Sequence, residues 1–206
     1  TYEETTCYFG CQNGVCNPPP NDTCQDAIAV TKDGTWHTYE GPMGQYTDDY
    51  DIDGASCMPS SYDNSPGPDA VYKIEAVAGD IIDVDWQPPE DPAIYMVQDC
   101  STLKSSCVAG DEDFGSGYPA SFQYVAPSDG TYYLVADVDQ DSTTDTNGTF
   151  ELDVRVQTPN CTFGSTSPSC LSDGETLEYC SPIDVLKEYT CSTTCTSGSG
   201  SCDDPT

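Results

Sequence analysis

From Phe150 to Val156 the chain alternates apolar and polar side chains without a break. Phe150, Leu152, Val154 and Val156 fall on one side and Glu151, Asp153 and Arg155 on the other, the period of two that marks a half-buried strand. The same alternation recurs upstream. In AVYKIEA, Tyr72, Ile74 and Ala76 share a face; in IIDVDW, Ile82, Val84 and Trp86 oppose Ile81, Asp83 and Asp85. AIAVTK, TWHTY, AIYMV, SFQYV and TYYLVAD are further short strand segments. Turn signals such as Ala78-Gly79-Asp80 and Ser128-Asp129-Gly130 separate them. The one helical candidate, PIDVLKEY, is too short to form a helix unaided. Many short half-buried strands must cover one another's apolar faces, so the pattern predicts an all-β, antiparallel sandwich.

The pattern covers only the middle of the chain. Residues 1–23 form a Cys- and Pro-rich arm ending near Pro18-Pro19-Pro20, a stiff extended spacer. Residues 24–157 hold most of the β-branched and aromatic side chains. Residues 158–206 are rich in Ser, Thr, Gly and Cys, with too little apolar content for a core of their own. Three regions are therefore expected: arm, sandwich, and a small disulfide-stapled module.

The phrases NDTCQDAIAV, GPDAVYKIEAVAGDIIDV, FQYVAPSDGTYYLVADV and GTFELDVRV, in that order, resemble the bacterial pre-peptidase C-terminal (PPC) domain family over about residues 21–157. The flanking cysteine segments resemble those of cysteine-rich secreted proteins of environmental bacteria. The resemblance implies a small jelly-roll-like β-sandwich appended to secreted proteins as a non-catalytic accessory. The long segment 41–68 ahead of GPDAVY, carrying Cys57, departs from the simple pattern.

Charge and cysteine content narrow the function classes. Five Lys and Arg stand against 36 Asp and Glu, a formal net charge of −31. Phosphate binding needs clustered cations, so nucleic acid is excluded as a partner and an anionic membrane surface is disfavoured. No segment is long and apolar enough to insert in a membrane. The thirteen cysteines include no Cys-x-x-Cys pair and stand beside a single histidine, so they read as disulfides rather than zinc ligands. Disulfides imply an oxidising compartment, hence an extracellular or cell-surface protein. Sequons at Asn21, Asn147 and Asn160 fit secretion as candidate glycosylation sites. No leader segment precedes Thr1, which is read as either a mature terminus or the boundary of an excised piece.

Two acidic ladders are candidate cation sites. Asp137, Asp139, Asp141 and Asp145 leave the end of a predicted strand, and Asp49, Asp51 and Asp53 precede Gly54. Ca²⁺ takes six to eight oxygens from such carboxylates, carbonyls and water. The second ladder fails as an EF-hand, because the twelfth position from Asp49 is Ser60. Carboxylates crowded in one loop repel unless a cation or protons intervene. Catalysis is not expected: His37, the only histidine, reads as an outward-facing strand residue, and no pair of acids stands out for glycoside hydrolysis. Tyr46, Tyr50, Tyr62 and Tyr118 are candidates for a glycan-stacking surface, although loop tyrosines more often pack against their own loop.

Within the sandwich, Cys100 and Cys107 bracket a hairpin-sized loop and are expected to pair, leaving Cys24 for Cys57. Cys161, Cys170, Cys180, Cys191, Cys195 and Cys202 can close three bridges. Cys7, Cys11 and Cys16 resemble Cys191, Cys195 and Cys202 in spacing, and thirteen is odd. The first sixteen residues thus read as the closing half of a module whose first half lies elsewhere, with Cys7, Cys11 and Cys16 as candidates for joining subunits. The expected function is an extracellular structural protein, a repeat unit or fibre subunit joined head to tail with copies of itself and stabilised by Ca²⁺. The competing reading is a glycan- or surface-binding accessory domain of a secreted enzyme.

Overall fold

A computed structural model describes residues 7–52, 54–58, 67–87, 92–112, 119–138 and 148–159, together with the backbone of 169–170, 176–180 and 186–190. The chain divides into two compact units, one of residues 1–78 and 82–157, the other of 79–81 and 158–206.

The larger unit is a β-sandwich. It opens with a hairpin of β1 (Cys11–Gln12) and β2 (Val15–Cys16), turned by Asn13 and Gly14 at positive φ. Nine strands follow: β3 (Ile28–Ala29), β4 (Trp36–Pro42), β5 (Ala70–Ala76), β6 (Ile81–Gln87), β7 (Pro92–Val97), β8 (Cys107–Glu112), β9 (Ala120–Val125), β10 (Gly130–Val138) and β11 (Thr149–Gln157). One sheet has the order β3-β5-β10-β7-β8 and the other β4-β11-β6-β9. The ladders from β5 to β8 run antiparallel. The antiparallel expectation fails at one edge, where β3 shrinks to two residues and pairs parallel with β5.

The alternating residues meet between the sheets. Tyr72, Ile74, Leu134, Ile94 and Met96 from one face Ile82, Val84, Trp86, Phe150, Leu152 and Val154 from the other, all buried. Trp86 and Phe150 stack with ring centroids 4.9 Å apart, and the indole N–H donates to the Asp137 carbonyl at 3.3 Å. Simple alternation does not describe the five-stranded sheet, because its outer face is buried too. Val71, Tyr95, Val97 and Val135 pack there under Ile52, Ala55 and Met58 from the segment that follows β4. Every residue of β7 is therefore buried, as its unbroken apolar run requires.

The disulfides differ from the expected pairing. Cys24 joins Cys100 and Cys57 joins Cys107, while Cys7 joins Cys16 within the N-terminal hairpin. Residues 100–106 coil into a 3₁₀ turn and one helical turn, with the Asp99 carboxylate capping the Ser101 N–H. That coil puts Cys100 and Cys107 at opposite ends of the segment, so that Cys100 meets Cys24 ahead of β3 and Cys107 meets Cys57 in the segment that follows β4. Cys7 and Cys16 thus close on each other within the chain, and among the described residues only Cys11 remains exposed and unpaired. The pairing of the six C-terminal cysteines lies outside the described residues.

Asn21 cannot carry a glycan in this fold. It is 1 % exposed, its amide nitrogen is enclosed, and its Oδ1 accepts from the Tyr46 hydroxyl at 3.0 Å. Asn147 and Asn160 lie outside the described residues. Tyr46→Phe removes one buried donor from the Asn21 carbonyl. We expect a loss of about 1–2 kcal/mol in denaturant unfolding, with the fold retained.

In the smaller unit, β12 (Ser169–Cys170), β13 (Thr176–Cys180) and β14 (Leu186–Thr190) form an antiparallel sheet. The helical candidate PIDVLKEY thus contributes a strand. Pairing Leu177 with Tyr189 and Tyr179 with Lys187 gives backbone partners to a segment too short to nucleate a helix.

Candidate functional site

The long segment after β4 is held by two carboxylates. Asp22 accepts from the N–H and hydroxyl of Thr47, at 2.8 and 3.0 Å. Asp69, just ahead of β5, accepts from the N–H groups of Asp49 and Tyr50 at 2.9 and 3.0 Å through its Oδ2. Its own N–H donates to the Thr47 carbonyl at 3.1 Å. Tyr50 then becomes a packing residue: its hydroxyl accepts from the Cys24 N–H, and its carbonyl accepts from the Tyr95 hydroxyl at 2.6 Å.

Beneath this segment, β5 and β10 bring two aspartates together. The last paired residues of that ladder are Ala70 and Ala136, so the next positions, Asp69 and Asp137, stand across from each other. Both lie on the face of Val71 and Val135, which the covering segment buries, and both are 0 % exposed. Asp137 Oδ1 accepts from the Val138 N–H at 2.7 Å. The other oxygen of each carboxylate, Asp69 Oδ1 and Asp137 Oδ2, is enclosed with no hydrogen-bond partner. Gly67 permits the approach, because a Cβ there would collide with the Val138 carbonyl oxygen.

Two like charges opposite one another in a dry site cannot both persist unaided. Burial pushes Asp69 up to about 8, against the pull of its two N–H donors, and the charges of Asp49 and Asp48 add to the rise. Burial and then the neighbouring Asp69 raise Asp137 well above the usual carboxylate range, with Asp51 and Asp48 contributing. Burial also raises Asp48, helped by Asp51 and Asp49. The site offers only oxygen donors, which suits a hard cation such as Ca²⁺. Asp69 and Asp137 would hold it through their unpartnered oxygens. No three carboxylates among the described residues have oxygens all within 4.8 Å of one another. Carbonyl oxygens and water would therefore complete the shell.

One aspartate of the first ladder, Asp137, thus feels the charge of one from the second, Asp51. Asp49 turns its backbone N–H toward Asp69, and its carboxylate lies 2.5 Å from the Thr47 hydroxyl, whose one proton it shares with Asp22. Asp53, Asp139, Asp141 and Asp145 lie outside the described residues. Sequence reasoning missed Asp69 and Asp48. The available signal for Asp69 was its position between a glycine-proline turn and the apolar run of β5, where a charge is out of place.

The other candidates resolve differently. His37 does not face outward: it pairs with Val154 and shares the core-facing side of β4 with Tyr39, at the rim of the sandwich. Its Nε2 lies 3.0 Å from Asp33 Oδ1 and 3.3 Å from the Thr35 hydroxyl. Both contacts use the same ring nitrogen, so carboxylate and hydroxyl are not relayed through the imidazole as a triad requires. Asp33 is held down at about 2, chiefly by the Thr35 hydroxyl and N–H and then by His37. Tyr46 is buried against Phe9 and Phe150. Tyr46 therefore offers no ring for stacking a sugar, Tyr50 is half-buried, and Tyr62 and Tyr118 lie outside the described residues.

No protein-family model matches the chain, and no curated protein matches it. Among solved structures it is similar to PliG, a periplasmic inhibitor of g-type lysozyme from Aeromonas hydrophila. The identity is 14 %, over 64 % of this chain and 96 % of that one, with a TM-score of 0.38. It is also similar to the pre-peptidase C-terminal domain of a Bacillus anthracis collagenase, at 16 % identity over 68 % and 98 % of the two chains and a TM-score of 0.34. A third is CorA, a surface-associated copper-binding protein of Methylomicrobium album, at 10 % identity over 62 % and 96 % and a TM-score of 0.35. A PPC domain is thus among the similar structures, as the sequence phrases lead one to expect. The likeness is slight, and no activity of those proteins is carried over. The three disulfides place the folded chain in an oxidising compartment. Among the described residues no helix is long and apolar enough to cross a membrane.

Proposed function

We propose that this chain is a non-catalytic extracellular structural protein that binds Ca²⁺ beneath the segment following β4 and is joined to further copies through its cysteine-rich ends. The observation that carries the calcium part is the facing pair Asp69 and Asp137, each buried with one oxygen unpartnered. A divalent cation would replace the protons that the pair otherwise has to take up, and would fix the covering segment to both strands. The surface suits the role, since a net charge of −31 draws cations toward it. Support for joining comes from the odd number of cysteines and the exposed thiol of Cys11. Thermal melting with and without a chelator tests the calcium part. A midpoint that rises with Ca²⁺ and falls on chelation is expected, and one that chelator leaves unmoved overturns it. Non-reducing electrophoresis tests the joining. A ladder of oligomers that collapses on reduction is expected, and a clean monomer overturns it.

One observation favours the accessory-module reading instead. Trp36 stands exposed on the outer face of β4, with the Arg155 guanidinium 4.6 Å from its ring centroid. An exposed aromatic ring on a sheet face is a surface on which a sugar can stack. Retardation in polysaccharide gels that Trp36→Ala abolishes would establish that reading.

A further inference from the structure

The N-terminal hairpin holds three sulphur atoms, those of Cys7, Cys11 and Cys16, all within 4.8 Å of one another. Cys7 and Cys16 are bonded, and Cys11 is an exposed thiol. We propose that this cluster is a thiol–disulfide exchange site, in which Cys11 attacks the resident bond and the unpaired thiol moves between Cys11 and Cys7. The proposal rests on neither calcium nor assembly.

Register decides the direction of attack. Cys11 and Cys16 are direct partners across β1 and β2, and opposed positions of an antiparallel pair lie within the Cα separation that a disulfide spans. The Cys11 thiolate attacks Cys16 Sγ, a Cys11–Cys16 bond forms as the Cys7–Cys16 bond breaks, and the electron pair leaves on Cys7 Sγ. The Cys7 thiolate then takes a proton from water. One disulfide and one thiol stand on each side, so no oxidant or reductant is needed.

The hairpin does not depend on either bond to keep its place. Asn17 donates from its N–H to the Gly10 carbonyl at 2.9 Å and from its side chain to the Phe9 carbonyl at 3.0 Å. Phe9 packs against the main core and meets Tyr46 edge-on, and the Tyr8 N–H donates to Gln45. These contacts hold the sulphurs within reach while the bond moves. The exchange changes which residue is tethered. In the observed isomer the chain is tied at Cys7, ahead of the Tyr8–Phe9 turn; in the other the bond lies within the hairpin, and Cys7 carries the thiol.

The full chain is incubated at a pH of about 8.5, where an ordinary thiol is about half ionised. It is then quenched in acid, alkylated with N-ethylmaleimide and mapped by peptide mass spectrometry without reduction. Label on both Cys7 and Cys11, within about tenfold of each other, is expected, together with a Cys11–Cys16 linked peptide. Label confined to Cys11 after hours of incubation overturns the proposal. Label on Cys16 in place of Cys7 overturns the stated direction of attack. In Cys11→Ser, an exposed position, none of the three sites should take label. Label on Cys7 in that variant would show simple opening of the bond and would sink the role given to Cys11.

Discussion

Asp137→Asn should raise the melting temperature of the calcium-free protein at neutral pH and abolish any further rise on adding Ca²⁺. In the unfolded chain Asp137 ionises near 3.8, whereas in the fold burial and the facing Asp69 hold it well above that value. Between those limits the folded state binds more protons than the unfolded one, so stability falls as pH rises. Asp69, pushed up to about 8, behaves the same way. For the calcium-free protein the predicted profile is therefore highest below pH ~4 and declines as pH rises toward ~8. Asp69 costs on the order of a few kcal/mol at neutral pH, and Asp137 adds a cost of the same sign. Asparagine keeps the oxygen that accepts from Val138 and removes the ionisation, so the metal-free variant recovers much of that cost and its pH profile flattens. Calcium bound at the proposed site would reverse the wild-type trend, because the ion would compete with protons for the same oxygens. At a hundredfold excess over its dissociation constant it would contribute about 2.7 kcal/mol, which the variant should lack. Urea unfolding of both proteins across pH, with and without Ca²⁺, measures all of this. An Asp137→Asn protein less stable than wild type in chelator would show that the pair is already satisfied and would remove the basis for the ion.

Breaking either long-range disulfide is the other large effect. Cys24–Cys100 and Cys57–Cys107 have sequence separations of 76 and 50. On the loop-entropy account each closure is worth about 4 kcal/mol, against about 2 for the short loop that Cys100–Cys107 pairing would close. Cys57–Cys107 ties the covering chain, and Cys24–Cys100 the segment ahead of β3, to the two ends of the helical turn that precedes β8. Replacing Cys57 and Cys107 together by serine should therefore cost about 2–5 kcal/mol. The loss should expose Tyr95 and Val135 first, seen as faster amide exchange in β7 and β10 than in β6. A non-reduced digest tests the pairing directly. A peptide linking Cys24 to Cys57 would contradict it.

The two disulfide errors and the missed aspartate share one cause. Alternation in β5, β6 and β11 was legible because one face of each strand meets the other sheet, a local property of the sequence. The second burial of the five-stranded sheet was not legible, because the covering segment carries no periodicity of its own. Ile52, Ala55 and Met58 look like loop residues until Val71 and Tyr95 are found beneath them. Spacing along the chain suggested local pairing of Cys100 and Cys107, but the helical turn between them directs Cys107 toward that covering segment and Cys100 toward Cys24, ahead of β3. His37 was misjudged because the strand's phase, fixed by Tyr39 and its partner Leu152, puts the histidine on the core-facing side.

By itself, the sequence determined most strands of the larger unit, the sandwich they must form, and the oxidising compartment. It also singled out acids and sulphur as the groups in excess. Those follow from composition and a period of two, which act over neighbouring residues. Only the tertiary structure decided which acids and sulphurs meet. The β5–β10 register put Asp69 opposite Asp137, the covering segment took water from both, and the hairpin gathered three of the thirteen cysteines within reach of exchange. Register and burial join residues far apart in the chain, and spacing along the sequence carries no measure of that.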